Sequence, residues 1–198
     1  IKLANGNFEC GVHIADVTHF VHPDSPLDLE AQHRSTSTYL VERRLDMLPS
    51  LLTTELCSLR SKEDHLAFSV IWEMDPSLNI VDVRFTRSVI HSVASLTYDE
   101  AQTLLDEHAA TGGKGMDAVG TSVNYLGHIA RTLRKRRIDT GALTLASPEV
   151  RFQLDRDSEN PTDVSVYALK EANALVEEFM LLANITVSKK ILRHFPTL

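Results

Sequence analysis

Apolar and polar positions along this chain follow two periods, and each predicts its own kind of element. Leu66, Phe68, Val70 and Trp72 occupy every second position up to Glu73, and Val81, Val83 and Phe85 repeat the alternation against Asp82, Arg84 and Thr86. A period of two marks a strand with one covered face, so the Asp75-Pro76-Ser77 turn between these runs predicts an antiparallel hairpin. Phe8 to Phe20, rich in Val, Ile and Phe, predicts another strand. Asn5-Gly6-Asn7 in front of it is hairpin-turn chemistry and implies a partner strand, of which Ile1 to Ala4 is the visible part. Tyr39-Leu40-Val41 reads as extended. Val150, Phe152 and Leu154, with Val164 and Val166, predict a second hairpin.

The helical stretches are marked as much by their ends as by their period. Pro23 to Pro26 turns into a short helix from Asp28 to about Thr36, and Pro49 stands ahead of a helix near Leu51 to Leu56. Thr97 with Glu100 forms a capping box for a helix from Tyr98 to Asp106. The loop Thr111-Gly-Gly-Lys-Gly115 has glycines and a lysine but not the full phosphate-loop pattern, and reads as a linker. A helix from Met116 to Ile138 ends in the run Arg131-Thr-Leu-Arg-Lys-Arg-Arg137. That run fits either a solvated helix end, which suits the helix dipole, or a contact to RNA phosphates.

The last helix, from about Glu171, is different in kind. Phe179 to Val187 is apolar at nearly every position, which predicts a helix covered on most sides by its own protein. Nine residues are too few to cross a bilayer. Glu177, Glu178 and Asn184 break the pattern. Glu177 and Asn184 lie about 20° apart on the helical wheel, with Ser188 about 20° to the other side of Glu177 and Glu178 about 100° away. Such a polar line needs a polar neighbour, because a buried unpaired carboxylate is costly. An internal arginine or loop amide supplies one, and so does an open cleft with Met180 and Leu181 at its floor.

Strands in hairpins and four or five helices, without strand–helix–strand alternation, predict an α+β fold: a mainly antiparallel sheet with helices packed on it. The chain has 198 residues, 43% hydrophobic and 24% charged, enough for one domain with a sizeable core. A formal net charge of -7 does not advertise nucleic-acid binding, so RNA contacts must be local. Cys10 and Cys57, with no signal peptide, read as reduced thiols of an intracellular protein. His13, Asp16, His19 and His22 suggest a metal site by spacing, but on a strand His13 and His19 stand about 20 Å apart and Asp16 points the other way. Opening on Ile1 and stopping at Phe195-Pro-Thr-Leu198, the chain reads as a piece of a longer protein.

The order of motifs resembles the RNB superfamily, to which ribonuclease II and ribonuclease R belong. Gly11-Val-His-Ile-Ala-Asp-Val17 is similar to the wording that follows that family's active-site aspartates. Thr36-Ser-Thr-Tyr-Leu-Val41, Met47-Leu-Pro49 with Leu56-Cys-Ser-Leu59, Phe68-Ser-Val70, Leu96-Thr-Tyr98, Gly141-Ala-Leu143 and Leu175-Val-Glu-Glu178 with Ala183-Asn184 follow in the family's order. Leu145-Ala-Ser-Pro-Glu-Val150 and the Leu175 to Asn184 wording look closest to the Dis3-type branch, the catalytic subunits of eukaryotic exosomes. The resemblance covers essentially the whole chain and implies part of an RNB catalytic domain. It implies a processive 3′-to-5′ exoribonuclease that hydrolyses single-stranded RNA with magnesium, in RNA processing and decay, in the nucleus or cytoplasm. Other exosome subunits are implied as partners through parts outside this chain, and no membrane is.

On the same resemblance, Tyr39 and Tyr98 contact bases, while Glu177 or Glu178, with Asn184, contacts the terminal nucleotide. Aromatic faces hold any base, and a carboxylate accepts from ribose hydroxyls. The family's metal-binding aspartate cluster is expected just before Asn5 and is absent from the chain. A downstream arginine and the flanking OB-fold domains are absent too. No catalytic or metal-binding residue is therefore assigned in residues 1–198, and the chain by itself is expected to be inactive. Basic residues that the family often carries before the tyrosine are His91 and Val93 here. The competing readings are a non-catalytic RNA-binding relative and, without any family, an α+β interaction domain whose buried glutamates are structural.

Overall fold

The structure, a computed structural model, describes residues 1–40, 43–143, 150–154, 161–166 and 169–197. In chain order come β1 (Phe8–Ala15), a 3₁₀ turn at Val17–His19, α1 (Pro26–Arg34), β2 (Thr38–Tyr39), β3 (Arg44–Leu45) and a π-helical stretch at Leu51–Leu56. After these come β4 (Asp64–Met74), β5 (Ile80–His91), α2 (Tyr98–Thr111), α3 (Ala118–Asp139), β6 (Val150–Leu154), β7 (Pro161–Val166) and α4 (Glu171–His194). The fold is α+β, and every strand pairing named here is antiparallel. Val41, the Leu145 to Val150 motif as far as Glu149, and the side chains expected to alternate in β6 and β7 lie outside the described residues.

The expected hairpin is β4–β5, running in register from Asp64↔His91 to a bulge at Glu73/Met74, with β1 on the other edge of β4. Asp75 closes the turn by accepting from the Asn79 backbone N–H at 2.8 Å and from its side chain at 3.0 Å. Those bonds hold its carboxyl below the usual carboxylate range. The Asn5-Gly6-Asn7 turn also forms: Leu3 N–H donates to Asn7 O at 2.8 Å, and Gly6 takes φ of +87°, a conformation glycine adopts at no steric cost.

Two strand expectations need correction. The run from Phe8 to Phe20 leaves the sheet at Asp16. The Asp16 backbone N–H goes to Leu66 O at 3.1 Å, its carboxylate accepts from Thr18 Oγ1 at 2.8 Å, and Arg87 Nε lies 3.2 Å away. That side-chain chemistry turns the chain into the 3₁₀ segment. In β4 the covered face changes midway: Val70, Trp72 and Met74 are buried, but Phe68 is exposed while Ala67 and Ser69 are enclosed. Ser69 lies between neighbours on both sides, its Oγ 2.6 Å from His13 Nδ1 and 2.6 Å from Ser88 Oγ.

The core forms where the sheet meets the helices: Cys10, Val70, Trp72, Met74 and Leu78 against Ile129, Ala130, Phe179 and Ala183. Burial pushes the Cys10 thiol up to about 11, so it is an inert core residue at neutral pH. Helix ends follow their sequence signals. Ser25 caps α1, the Thr97–Glu100 capping box opens α2, Asp117 accepts from Gly120 N–H at 2.7 Å to start α3, and left-handed Gly112 ends α2. The last helix was expected to be covered on most sides by its own protein, and the described residues supply only part of that cover. Ala172, Glu178, Phe179 and Ala183 face inward, whereas Val176, Met180 and Ile185 are exposed among the described residues. Among the described residues no helix is long and apolar enough to cross a membrane.

The basic end of α3 fastens this layer to the sheet. Arg136 donates Nη1 to Leu78 O at 2.8 Å and Nη2 to Ser77 O at 2.5 Å, so it grips the β4–β5 turn. Arg136→Met is expected to destabilise the protein by about 1–2 kcal/mol, the scale of a charge-assisted hydrogen bond discounted for an exposed side chain. A urea midpoint indistinguishable from wild type would dismiss the staple.

Candidate nucleic-acid interface

Tyr98 is the first residue of α2, and the cap fixes its place. Glu100 N–H donates to Thr97 Oγ1 at 3.2 Å, and the Glu100 carboxylate accepts from Thr97 N–H at 2.7 Å and Oγ1 at 2.8 Å. Those bonds hold the Glu100 carboxyl below its usual range. The ring projects from this rigid start, 44% exposed. The beginning of α4 is tied alongside: Lys170 pairs with Asp99, and Ala172 N–H donates to Gln102 Oε1 at 3.0 Å. Any group on the first turns of α4 is therefore held relative to Tyr98.

Glu177 sits about 7.5 Å along α4 from Ala172, at about 1.5 Å per residue. It is exposed and lines a cavity of about 290 Å³ between α3 and α4, together with Gly127, Arg131, Arg134, Lys170 and Glu171. Asn184 and Ser188 are exposed further along the helix. The polar line thus faces outward. Glu178, expected beside Glu177 as a nucleotide contact, is enclosed instead. It is 3% exposed, and its carboxylate accepts from Arg137 Nε at 3.2 Å on each oxygen and from Arg137 Nη2 at 2.5 Å. The single helical step of about 100° between the two glutamates leaves one at the open cavity and buries the other against Arg137 of α3.

The Arg131 to Arg137 run resolves into named partners, not a free basic patch. Arg131 pairs with Glu171 at 2.6 Å, Lys135 with Asp139 at 2.7 Å, Arg136 holds the hairpin turn and Arg137 holds Glu178. Arg134 lines the cavity beside Glu177 without a carboxylate partner among the described residues. Of the two sequence readings of this run, neither foresaw internal staples.

Tyr39 stands elsewhere, at the tip of the two-residue β2 and 77% exposed. It pairs in register with Arg44, whose Nε meets Asp46 Oδ1 at 2.5 Å. Asp46 is further held by Thr53 Oγ1 at 3.3 Å. Tyr39 lines a cavity of about 300 Å³ with Ala15, Val17, Ser37, Leu52 and Cys57. Among the described residues no ring contact joins Tyr39 to Tyr98, so the structure offers two separate aromatic platforms.

Other candidates have structural employment. His13 bonds Ser69, Asp16 is buried against Arg87, and the His19 ring packs edge-on to Phe20 at 5.0 Å. Among the described residues no three His, Cys, Asp or Glu side chains are placed to hold a metal ion. His91 pairs with Asp64 at 2.7 Å and Val93 is exposed. One cluster went unread in the sequence. Lys189, Lys190 and Arg193 line a groove of about 520 Å³ against β5, with Lys190 Nζ 5.8 Å from the centre of the Phe85 ring. Their i, i+1, i+4 spacing was the available signal.

Comparison with known proteins is consistent in its outcome. The RNB domain profile matches residues 1–198. The chain is 53% identical over 196 residues to "Exosome complex exonuclease RRP44 homolog A" of Arabidopsis thaliana, covering 99% of this chain and 20% of that protein. It is 52% identical over 194 residues to "Exosome complex exonuclease RRP44" of Homo sapiens, covering 98% and 20%. The chain spans about a fifth of the length of these curated relatives. Its fold matches RNase R of Mycoplasma genitalium solved with ribose-methylated single-stranded RNA, at a TM-score of 0.86, 23% identity, and coverage of 98% of this chain and 30% of that one. It also matches yeast Ssd1, described as a pseudonuclease, at a TM-score of 0.71, 23% identity, and coverage of 96% and 22%.

Proposed function

Because the chain belongs to the RNB domain family, we propose that it is the part of a 3′-to-5′ exoribonuclease that holds the end of single-stranded RNA. The parent would serve RNA processing and decay in the manner of an exosome catalytic subunit, with exosome partners reached through other parts of the protein. What supports this reading is an exposed aromatic and an exposed carboxylate on helices that are tied to each other. Tyr98 and Glu177 sit on two helices tied by the Lys170–Asp99 pair and the Ala172–Gln102 hydrogen bond. In this proposal Tyr98 and Tyr39 stack on bases, which is worth roughly 1–3 kcal/mol each. Glu177, with Asn184, accepts from and donates to the ribose edge of the terminal nucleotide. Glu178, buried against Arg137, does not touch RNA.

Magnesium does not fit the described residues. No three ligands converge, and the Asp16 carboxylate is committed to Arg87 and Thr18. A magnesium requirement belongs to the full-length protein within this proposal. Accordingly, residues 1–198 alone are expected to release no nucleotides from single-stranded RNA in magnesium buffer, since magnesium wants several oxygen ligands around it. Magnesium-dependent product from the purified chain would refute that expectation.

The test of the proposal is a 5′-labelled single-stranded RNA incubated with the full-length protein and magnesium. A ladder shortening from the 3′ end supports it. Tight binding with intact RNA would instead establish the non-catalytic relative, a reading that gains weight because this fold also occurs in a pseudonuclease.

A further inference from the structure

We infer that Arg137 is a positioning residue, one that anchors on buried Glu178 and with the same guanidinium holds Glu177 in place at the cleft. Arg137 Nη2 lies 2.5 Å from Glu178 Oε1 and 3.4 Å from Glu177 Oε1. One nitrogen therefore serves two carboxylates of opposite exposure. The Glu178 pair is short, nearly enclosed and doubly bonded through Nε, so it fixes the plane of the guanidinium. The Glu177 contact is long and half in water, so it adds little stability. Its consequence is direction, because it restricts a flexible glutamate to the side of α4 that faces α3 and the cavity. Lysine, a point charge, cannot hold both carboxylates in one plane.

This inference rests on the reading that Glu177 contacts the terminal ribose. A carboxylate held ready to accept from a 2′-hydroxyl prefers ribose to deoxyribose at that position. A freely rotating one gives up part of that preference.

The experiment uses the full-length protein and measures kcat and KM on two oligonucleotides that differ only in a 3′-terminal ribose or 2′-deoxyribose. Glu177→Gln is expected to reduce the preference for ribose by on the order of tenfold, as expected for one charge-assisted hydrogen bond. Removing Arg137 alone strands a buried carboxylate and threatens the fold. The working variant is therefore the pair Arg137→Met with Glu178→Met, since apolar replacement of both members of a buried ion pair is often well tolerated. It is expected to lose the ribose preference to a similar extent while keeping its melting temperature, and adding Glu177→Gln to it should cause no further loss. Arg137→Lys should restore folding relative to Arg137→Met but not the preference. If Glu177→Gln changes the preference and the Met pair does not, positioning by Arg137 is wrong and the ribose contact stands. If Glu177→Gln leaves the preference intact, the ribose contact is wrong, and this inference falls with it.

Discussion

Trp72→Ala is expected to cost about 3–5 kcal/mol, a large fraction of the roughly 5–15 kcal/mol that holds a domain together. Trp72 is fully buried at the centre of the sheet–helix core, against Ile129, Phe179 and their neighbours. Its indole N–H also donates to Thr186 Oγ1 at 3.2 Å, which ties β4 to α4. Trp72→Phe keeps most of the apolar volume and is expected to cost less, about 1–2 kcal/mol for the lost bond and the residual void. Phe68→Ala, four residues earlier on the same strand but exposed, is expected to change stability by less than about 1 kcal/mol. Urea unfolding of the three variants checks the order. Equal losses at positions 72 and 68 would mean that the core does not lie where the burial places it.

The second large effect is on RNA and leaves stability nearly untouched. Tyr98→Ala and Tyr39→Ala in the full-length protein should each weaken the hold on a single-stranded end by roughly 5- to 150-fold, the equivalent of about 1–3 kcal/mol of stacking. Both rings are substantially exposed, and the Thr97–Glu100 cap does not use the Tyr98 side chain, so melting temperatures should stay close to wild type. The two platforms are separate, which predicts different signatures. Loss of one should alter the length of the final product, and loss of the other mainly the rate. Unchanged turnover and an unchanged product ladder for both variants would dismiss the stacking role.

Where α2 begins, how β4 meets β5 and how the chain turns at Asn5-Gly6-Asn7 were all legible in the sequence. In each case the cause lies within a few residues: a threonine and a glutamate three apart, an alternation of period two, a glycine free to take positive φ. The order of motifs likewise carried the family. The sequence overreached where a local pattern competed with a distant partner. The strand from Phe8 was read through to Phe20, but Arg87 and Leu66 capture Asp16 and end it. The apolar wheel of α4 was read as coverage on most sides, but the described residues leave Val176, Met180 and Ile185 exposed.

The candidate site shows the same division. Its residue types, two tyrosines and a polar line on an apolar helix, could be named from the chain alone. Which glutamate is free could not, because Glu177 and Glu178 are neighbours of identical chemistry. The choice is made by Arg137, 41 residues before Glu178, and by the packing of α3 on α4. Composition and spacing determined that this protein would build an antiparallel hairpin, cap its helices and carry carboxylates on its last helix. Tertiary structure decided which charges are spent as staples and which face the cleft. A salt bridge forms between side chains that the fold brings within 4 Å, whatever their separation along the chain.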